Sequence, residues 1–127
     1  MVTASDYSWA EAGTEKAAIS VAHTWLSGID KGQYSKSWQE ASAYFQSAIS
    51  RDRWVASLRG VRKPLGMLVS RRAISSKRVK ELPGAPDALY MVIRFRTSFQ
   101  YKKSAVETVT FMMEKDGSWK AAGYFIK

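Results

Sequence analysis

Apolar residues along this chain follow two rhythms, and the change from one to the other divides it. From Glu15 to about Arg62 they recur every three or four positions, the spacing of one helix face. Ala18, Ala22, Trp25, Leu26 and Ile29 share such a face on a first helix, with Thr14 as its cap, Glu15 in its opening turn and Gly32 as its stop. The chain then turns at residues 32–34. A short second helix is expected there, capped by Ser35 or Ser37 and carrying Trp38 and Ala41, with Tyr44-Phe45 continuing or closely following it. Ser50 opens a third helix near residues 51–62, whose inward side chains are Trp54, Val55, Leu58 and Val61. Asp52 suits the start of that helix and Arg59, Arg62 and Lys63 its end, where Pro64 and Gly66 stop it.

Beyond Met67 the period drops to two. A long polar strand over residues 67–80 rests on Met67, Val69, Ala73 and Val79; Leu68 and Ile74 fall out of phase, so a bulge or bend belongs near residues 70–72. Residues 82–87 are loop, with Pro83-Gly84 as the turn pair. Three further strands follow at 88–100, 104–115 and 118–127. In the first of these Met91, Ile93, Phe95, Thr97 and Phe99 alternate with Tyr90, Val92, Arg94, Arg96 and Ser98, which gives one dry face and one wet face. Asp116-Gly117 reads as a two-residue hairpin turn with positive φ at both positions. A sheet with one dry face needs a lid, and the preceding helices supply it. The expected architecture is a single α+β domain over residues 1–127, with three N-terminal helices packed on a curved four-stranded antiparallel meander. Residues 1–12 form a flexible arm, in which Ser8 and Glu11 have the spacing of a capping box.

Composition narrows the chemistry. With 127 residues, 46% of them hydrophobic, the chain builds one core and not two. It has no Cys, which excludes disulfides, thiolate metal sites and thiol nucleophiles. No apolar run approaches the ~18 residues of a spanning helix. The start has neither the basic nor the apolar segment of a signal peptide, although a trimmed start would look the same. Residues 1–50 carry 3 Lys/Arg against 5 Asp/Glu, whereas residues 51–127 carry 17 against 6, so the net charge of +9 comes wholly from the second part. Such an excess favours phosphates, anionic lipid heads or acidic polymers, but it describes solubility before it describes function.

No phosphate loop, nucleophile elbow or zinc-helix motif is present, and nothing calls for a cofactor or a metal. His23 stands beside the apolar stripe of the first helix, where a hydrogen-bonded structural residue is the commoner role. Trp25, Trp38, Trp54, Trp119 and Phe111 have the spacing of core rather than of a stacking platform. One carboxylate is of interest. If Phe95 meets Val109 and Ile93 meets Phe111, Thr97 falls opposite Glu107 on the dry face, where a carboxylate among apolar residues could move protons; a one-residue change of register would put Glu107 on the wet face beside Arg94 or Arg96. Arg71, Arg72, Arg94 and Arg96 would together make a basic surface on adjacent strands.

Several segments resemble a small bacterial family catalogued as domain of unknown function 4019. They are Trp25-Leu26, the stretch from Gly32 to Trp38, Trp54, Arg62 to Gly66, Ser70-Arg71, Leu82 to Asp87, Lys103 to Val109, and the closing Gly123 to Lys127. The resemblance brings no catalytic residues. It implies that relatives are often exported, so a periplasmic home is expected if the start was trimmed. The order of helices then sheet is also similar to the cystatin-like and nuclear transport factor 2-like α+β rolls, which host enzymes, carriers and interaction modules alike. Three functions follow as expectations. The first is a non-enzymatic binding or interaction module for a small molecule or protein, with a cavity between helices and sheet. The second is a ketosteroid-isomerase-like enzyme with Glu107 as general base and Tyr90, Tyr124 or His23 as its partner. The third is a polyanion binder through Arg71, Arg72, Arg94 and Arg96. The oligomeric state is left open, a homodimer included.

Overall fold

The computed structural model describes residues 14–127. The N-terminal arm and its Ser8–Glu11 spacing lie outside them. Where the spacing predicts three helices, four form among the described residues: α1 (Glu15–Asp30), α2 (Tyr34–Gln39), α3 (Ala43–Ala48) and α4 (Arg51–Leu65). Three of them start on a side-chain cap. Thr14 Oγ1 accepts from the Ala17 N–H at 3.1 Å, Ser42 Oγ from Phe45 at 3.1 Å and Ser50 Oγ from Arg53 at 3.3 Å. The extra helix comes from Ser42, whose cap breaks what reads as one segment into α2 and α3.

Neither Ser35 nor Ser37 caps α2, which begins behind Gln33 without a side-chain bond. Ser37 is instead buried and ties three elements together. Its hydroxyl donates to the Tyr34 carbonyl and accepts the Trp54 indole N–H at 2.9 Å, while its own carbonyl accepts the Trp25 indole N–H at 2.9 Å. The buried ends of both tryptophans are thus satisfied, as indole N–H groups in a core must be. On α4, Trp54 and Leu58 face inward as expected, but Val61 is 48% exposed and Arg62 takes the inner position. The helix also runs through Pro64 to Leu65 before Gly66, at φ 75°, turns the chain.

The sheet has the order β1-β2-β3-β4, with every neighbouring pair antiparallel: β1 (Leu68–Val79), β2 (Tyr90–Phe99), β3 (Lys102–Met113) and β4 (Trp119–Ile126). The α+β meander is therefore as the sequence predicts. Two local features differ. The β2–β3 turn is shorter than 100–103, since Phe99 already pairs with Lys102. The β3–β4 loop is longer than two residues: Glu114 N–H bonds the Ser118 carbonyl, Gly117 N–H bonds the Glu114 carbonyl, and only Gly117 has positive φ. That is a three-residue hairpin in which Gly117 supplies the left-handed position.

Helix α1 lies across all four strands, and α3 touches β4. Its Ala18, Ala22, Trp25, Leu26 and Ile29 meet Met91, Ile93, Phe95, Val109, Phe111 and Ala121 of the sheet's inner face. Trp25 is the centre of an aromatic group, edge-on to Phe111 and Tyr124 at 5.8 Å each and stacked on Trp54 at 6.3 Å. Removing this aromatic surface from water, together with the aliphatic side chains around it, stabilises the packing of helices on sheet. The inner face of the sheet is apolar at one end only.

Candidate functional site

At the other end, one polar side chain from each of six elements meets between helices and sheet. Thr97 and Glu107 are brought inward by the alternation of β2 from Met91 to Phe99 and of β3 from Ala105 to Phe111. Arg71 comes inward because β1 is bulged twice, between Leu68 and Ser70 and between Ala73 and Ser75. The two bulges turn out Val69 and Ile74 and put Arg71 across from Thr97 on the inner face, while Arg72 pairs with Arg96 on the outer one. The expected bend at 70–72 is thus two bends that bracket it. Asp30 arrives from the end of α1, Arg62 from α4 and Tyr124 from β4.

The Arg71 guanidinium is gripped from both sides. Its Nε and Nη2 donate to Glu107 at 2.6 and 3.1 Å, and its Nη1 and Nη2 donate to Asp30 at 2.7 and 2.9 Å. Such two-pronged contacts are the strong form of the arginine–carboxylate pair. Glu107 also accepts the Thr97 hydroxyl at 2.5 Å and the Tyr124 hydroxyl. Each of its oxygens therefore holds two donors, although the side chain is 0% exposed. Arg62 completes the group by donating to Asp30 at 2.8 Å, with its guanidinium carbon 4.8 Å from the centre of the Phe99 ring. Its Nε and Nη1 are buried and find no acceptor among the described residues.

The charges balance, with two arginines against two carboxylates. Burial alone would raise the Asp30 carboxyl, but the hydrogen bonds and charge of Arg71, with those of Arg62, more than offset it and hold the group below its ordinary value. Burial likewise works against the Arg71 cation, and its bonds to Asp30 and Glu107 win, so its proton is held more tightly than usual. Burial, the Glu107 charge and the bond to it push the Tyr124 phenol well above its ordinary range. His23 stands edge-on to Phe95 at 4.9 Å, and burial and the Arg71 charge lower its affinity for a proton against the pull of Glu107.

Glu107 thus lies on the dry face, as one of the two registers read from the sequence has it. The pairing itself is two residues away from that register: Ile93 meets Val109, Phe95 meets Glu107 and Thr97 meets Ala105. Of the suggested partners, Tyr124 reaches Glu107, whereas Tyr90 donates to the Pro86 carbonyl at 2.5 Å. The four arginines are split. Arg71 belongs to the interior, and Arg72, Arg94 and Arg96 stand exposed on the outer face. Arg96 is cross-strand to Arg72, and Arg94 to Ser75. Sequence reasoning missed Asp30 and Arg62 as network members. Both left a signal: a carboxylate in the last turn of α1 opposes the helix dipole and needs a cation, and Arg62 continues the inward i, i+4 series of Trp54 and Leu58.

Several openings border these features among the described residues. A cleft of about 370 Å³ lies between α1 and α2, beside His23, Lys31 and Lys36. A second, about 460 Å³, opens between α1 and the sheet along Val21, Trp25, Phe111 and Trp119. On the outer face a groove of about 250 Å³ runs among Ser70, Arg72, Arg96, Ser98, Lys103 and Ser104. Among the described residues no group of three or more His, Cys, Asp or Glu is placed to hold a metal, and no helix is long and apolar enough to cross a membrane.

A family model described as protein of unknown function (DUF4019) matches residues 21–124. The chain belongs to the DUF4019 family. The DUF4019 match begins inside α1 and ends on Tyr124, so it takes in all six residues of the buried network and all three outer arginines. No curated protein and no solved structure matches the chain. Kinship with the cystatin-like and nuclear transport factor 2-like rolls therefore rests on the order of elements alone.

Proposed function

We propose that this DUF4019 domain is a non-catalytic binding module that takes an anionic partner on the open face of its sheet. The observation that carries the reading is the rank of Arg72, Arg96 and Arg94 on adjacent strands. Arg72 and Arg96 are directly opposite each other, an arrangement that destabilises a sheet when both charges are bare. An anion between them removes the repulsion and gains two planar forks suited to phosphate, sulfate or carboxylate oxygens. The hydroxyls of Ser70, Ser98 and Ser104 and the ammonium of Lys103 line the same groove. The outward positions of β1 and β2 carry no Asp or Glu to compete.

The same geometry argues against Glu107 as a general base. Its four acceptor positions are taken by Arg71, Thr97 and Tyr124, and its main partner is a permanent cation. A second reading has one observation in its favour. The cleft of about 460 Å³ between α1 and the sheet has an aromatic wall of Trp25, Phe111 and Trp119 suited to a small apolar ligand.

Heparin chromatography and fluorescence titration at a series of salt concentrations test the proposal. Affinity is expected to fall linearly in log–log form with salt, by about 0.7–0.9 of a unit per phosphate-like contact, and Arg72→Glu with Arg96→Glu is expected to flatten that slope by about two contacts. A slope that the double charge reversal leaves unchanged would remove the outer face as the binding surface.

A further inference from the structure

The outer groove runs off the sheet at the end where β2 turns into β3, and that end is not merely basic. Tyr101 N–H bonds the Leu65 carbonyl at 2.9 Å and Gln100 N–H bonds the Met67 carbonyl at 2.8 Å, so the β2–β3 turn is fastened to the segment entering β1. Gln100 Oε1 accepts in return from the Met67 N–H at 3.3 Å. Three large apolar side chains project from this fastened tip: Met67 at 75% exposure, Val69 at 67% and Tyr101 at 70%. Single exposed apolar residues need no explanation, but three at one end of the sheet, on the start of β1 and the loops beside it, do. The first β1 bulge is what turns Val69 out to join them.

Cations surround the tip. Lys63, Lys102 and Lys103 are exposed beside it, and Arg72 and Arg96 follow along the groove. The two longer chain segments that carry it, residues 53–80 and 88–106, contain no Asp or Glu at all. We infer that this end of the protein docks on the surface of an anionic lipid bilayer, with Met67, Val69 and Tyr101 entering the headgroup layer while the surrounding cations meet lipid phosphates. The inference rests on the outer basic face being the binding surface, and it names the partner class.

The chemistry separates a bilayer from other polyanions. A soluble polysaccharide or nucleic acid neutralises the lysines and arginines but offers nothing that would take Met67 and Val69 out of water. An anionic bilayer surface does both, since its interface accommodates apolar and aromatic side chains and its potential gathers Lys and Arg within a Debye length. Tyr is the aromatic that suits this depth, apolar in the ring and wet at the hydroxyl. Because the tip's backbone is already hydrogen-bonded, little ordering is needed on docking.

The test uses the intact chain and three probes: vesicles of phosphatidylcholine, vesicles of phosphatidylcholine with phosphatidylglycerol, and heparin. The wild type is expected to co-sediment with the mixed vesicles, not with the neutral ones, and to bind heparin. Met67→Ser with Tyr101→Ser, which leaves every charge in place, is expected to lower partitioning onto mixed vesicles about tenfold while heparin affinity stays unchanged. Arg72→Glu with Arg96→Glu is expected to lower both. Circular dichroism melting of each variant checks that the fold is intact, and the two tip side chains are too exposed for their loss to unfold it. If the tip variant partitions like the wild type, or if the wild type binds heparin and not mixed vesicles, the bilayer inference is overturned while the basic-face reading stands. Failure of the wild type to bind either anionic probe overturns both.

Discussion

Replacing Glu107 by Gln keeps the shape of the side chain and removes its charge, which makes it a clean probe of the buried network. No cavity opens, so any loss of stability is electrostatic and hydrogen-bonding in origin. The amide oxygen can keep the Arg71 Nε and Thr97 donors now at 2.6 and 2.5 Å. The amide nitrogen then takes the place of the other oxygen. There it faces Tyr124, whose hydroxyl can rotate to accept, and Arg71 Nη2, which cannot. One charge-assisted bond is lost and one buried positive charge is left uncompensated. Removing one partner of a buried pair costs about 3–5 kcal/mol, and a hydrogen bond to a charged group is worth about 1.5–3 kcal/mol. Asp30 still holds Arg71 by two bonds, which places the expected loss near the lower figures, about 2–3 kcal/mol. In urea denaturation followed by tryptophan fluorescence, the midpoint should fall by about 1–2 M with the slope unchanged. A variant as stable as the wild type, or more stable, would refute the reasoning. It would mean that Glu107 is not held as an ion pair, and the general-base role would return.

Two further outcomes follow from geometry already described. Asp30 holds its proton less tightly folded than unfolded, so the stability it lends is present above the ordinary value of 3.8 and is lost as pH falls toward and through its depressed folded value; Asp30→Asn should flatten the fall in unfolding free energy between about pH 5 and about pH 2. At Gly66, where φ is +75°, a Cβ would stand 2.7 Å from Gln100 Oε1 and 2.8 Å from Tyr101 Cδ2, so Gly66→Ala should cost about 1–3 kcal/mol, read as a lowered thermal midpoint; no shift would mean that the tip relaxes freely.

The parts of this molecule that sequence reveals are those governed by period. The α1 face and the β2 alternation are local patterns; the first names every buried residue of its helix, and the second names Met91, Ile93, Phe95, Thr97 and Phe99 but puts the fully buried Tyr90 on the wet side. Period also explains why Glu107 could be placed on the dry face while its pairing was read two residues off. A strand repeats every two residues, so a slip of two keeps each side chain on its face. The slip itself came from the turn, which closes at Gln100-Tyr101 instead of spanning 100–103. Arg71 shows the opposite case. Its direction depends on two bulges, and bulges break the very period from which direction is read. Asp30 and Arg62 look like ordinary helix-end charges because Asp30 meets Arg71 across 41 residues and Arg62 across 32, and no local pattern records those meetings. Arg94 and Arg96 were legible because β2 alternates from Met91 to Phe99, whereas Arg72, on the bulged β1, could not be told apart from Arg71.

The six-element network has a kinetic meaning as well as an energetic one. Each of its members sits on a different helix or strand, so no pair of neighbouring elements can assemble it early. A hairpin of β2 and β3 can form its ladder alone, and α1 can bury its apolar face once that ladder exists. The guanidinium of Arg71, by contrast, is matched only after α1, β1 and β3 have all docked, and stripping its water sooner would leave a bare charge. Its bonds are therefore expected to form on the native side of the folding barrier, which folding and unfolding rates of Glu107→Gln would check. Interactions of that kind leave the refolding rate nearly unchanged and slow unfolding instead. The polar end of the interior acts as a clasp, setting how long a folded molecule lasts more than how quickly one is made.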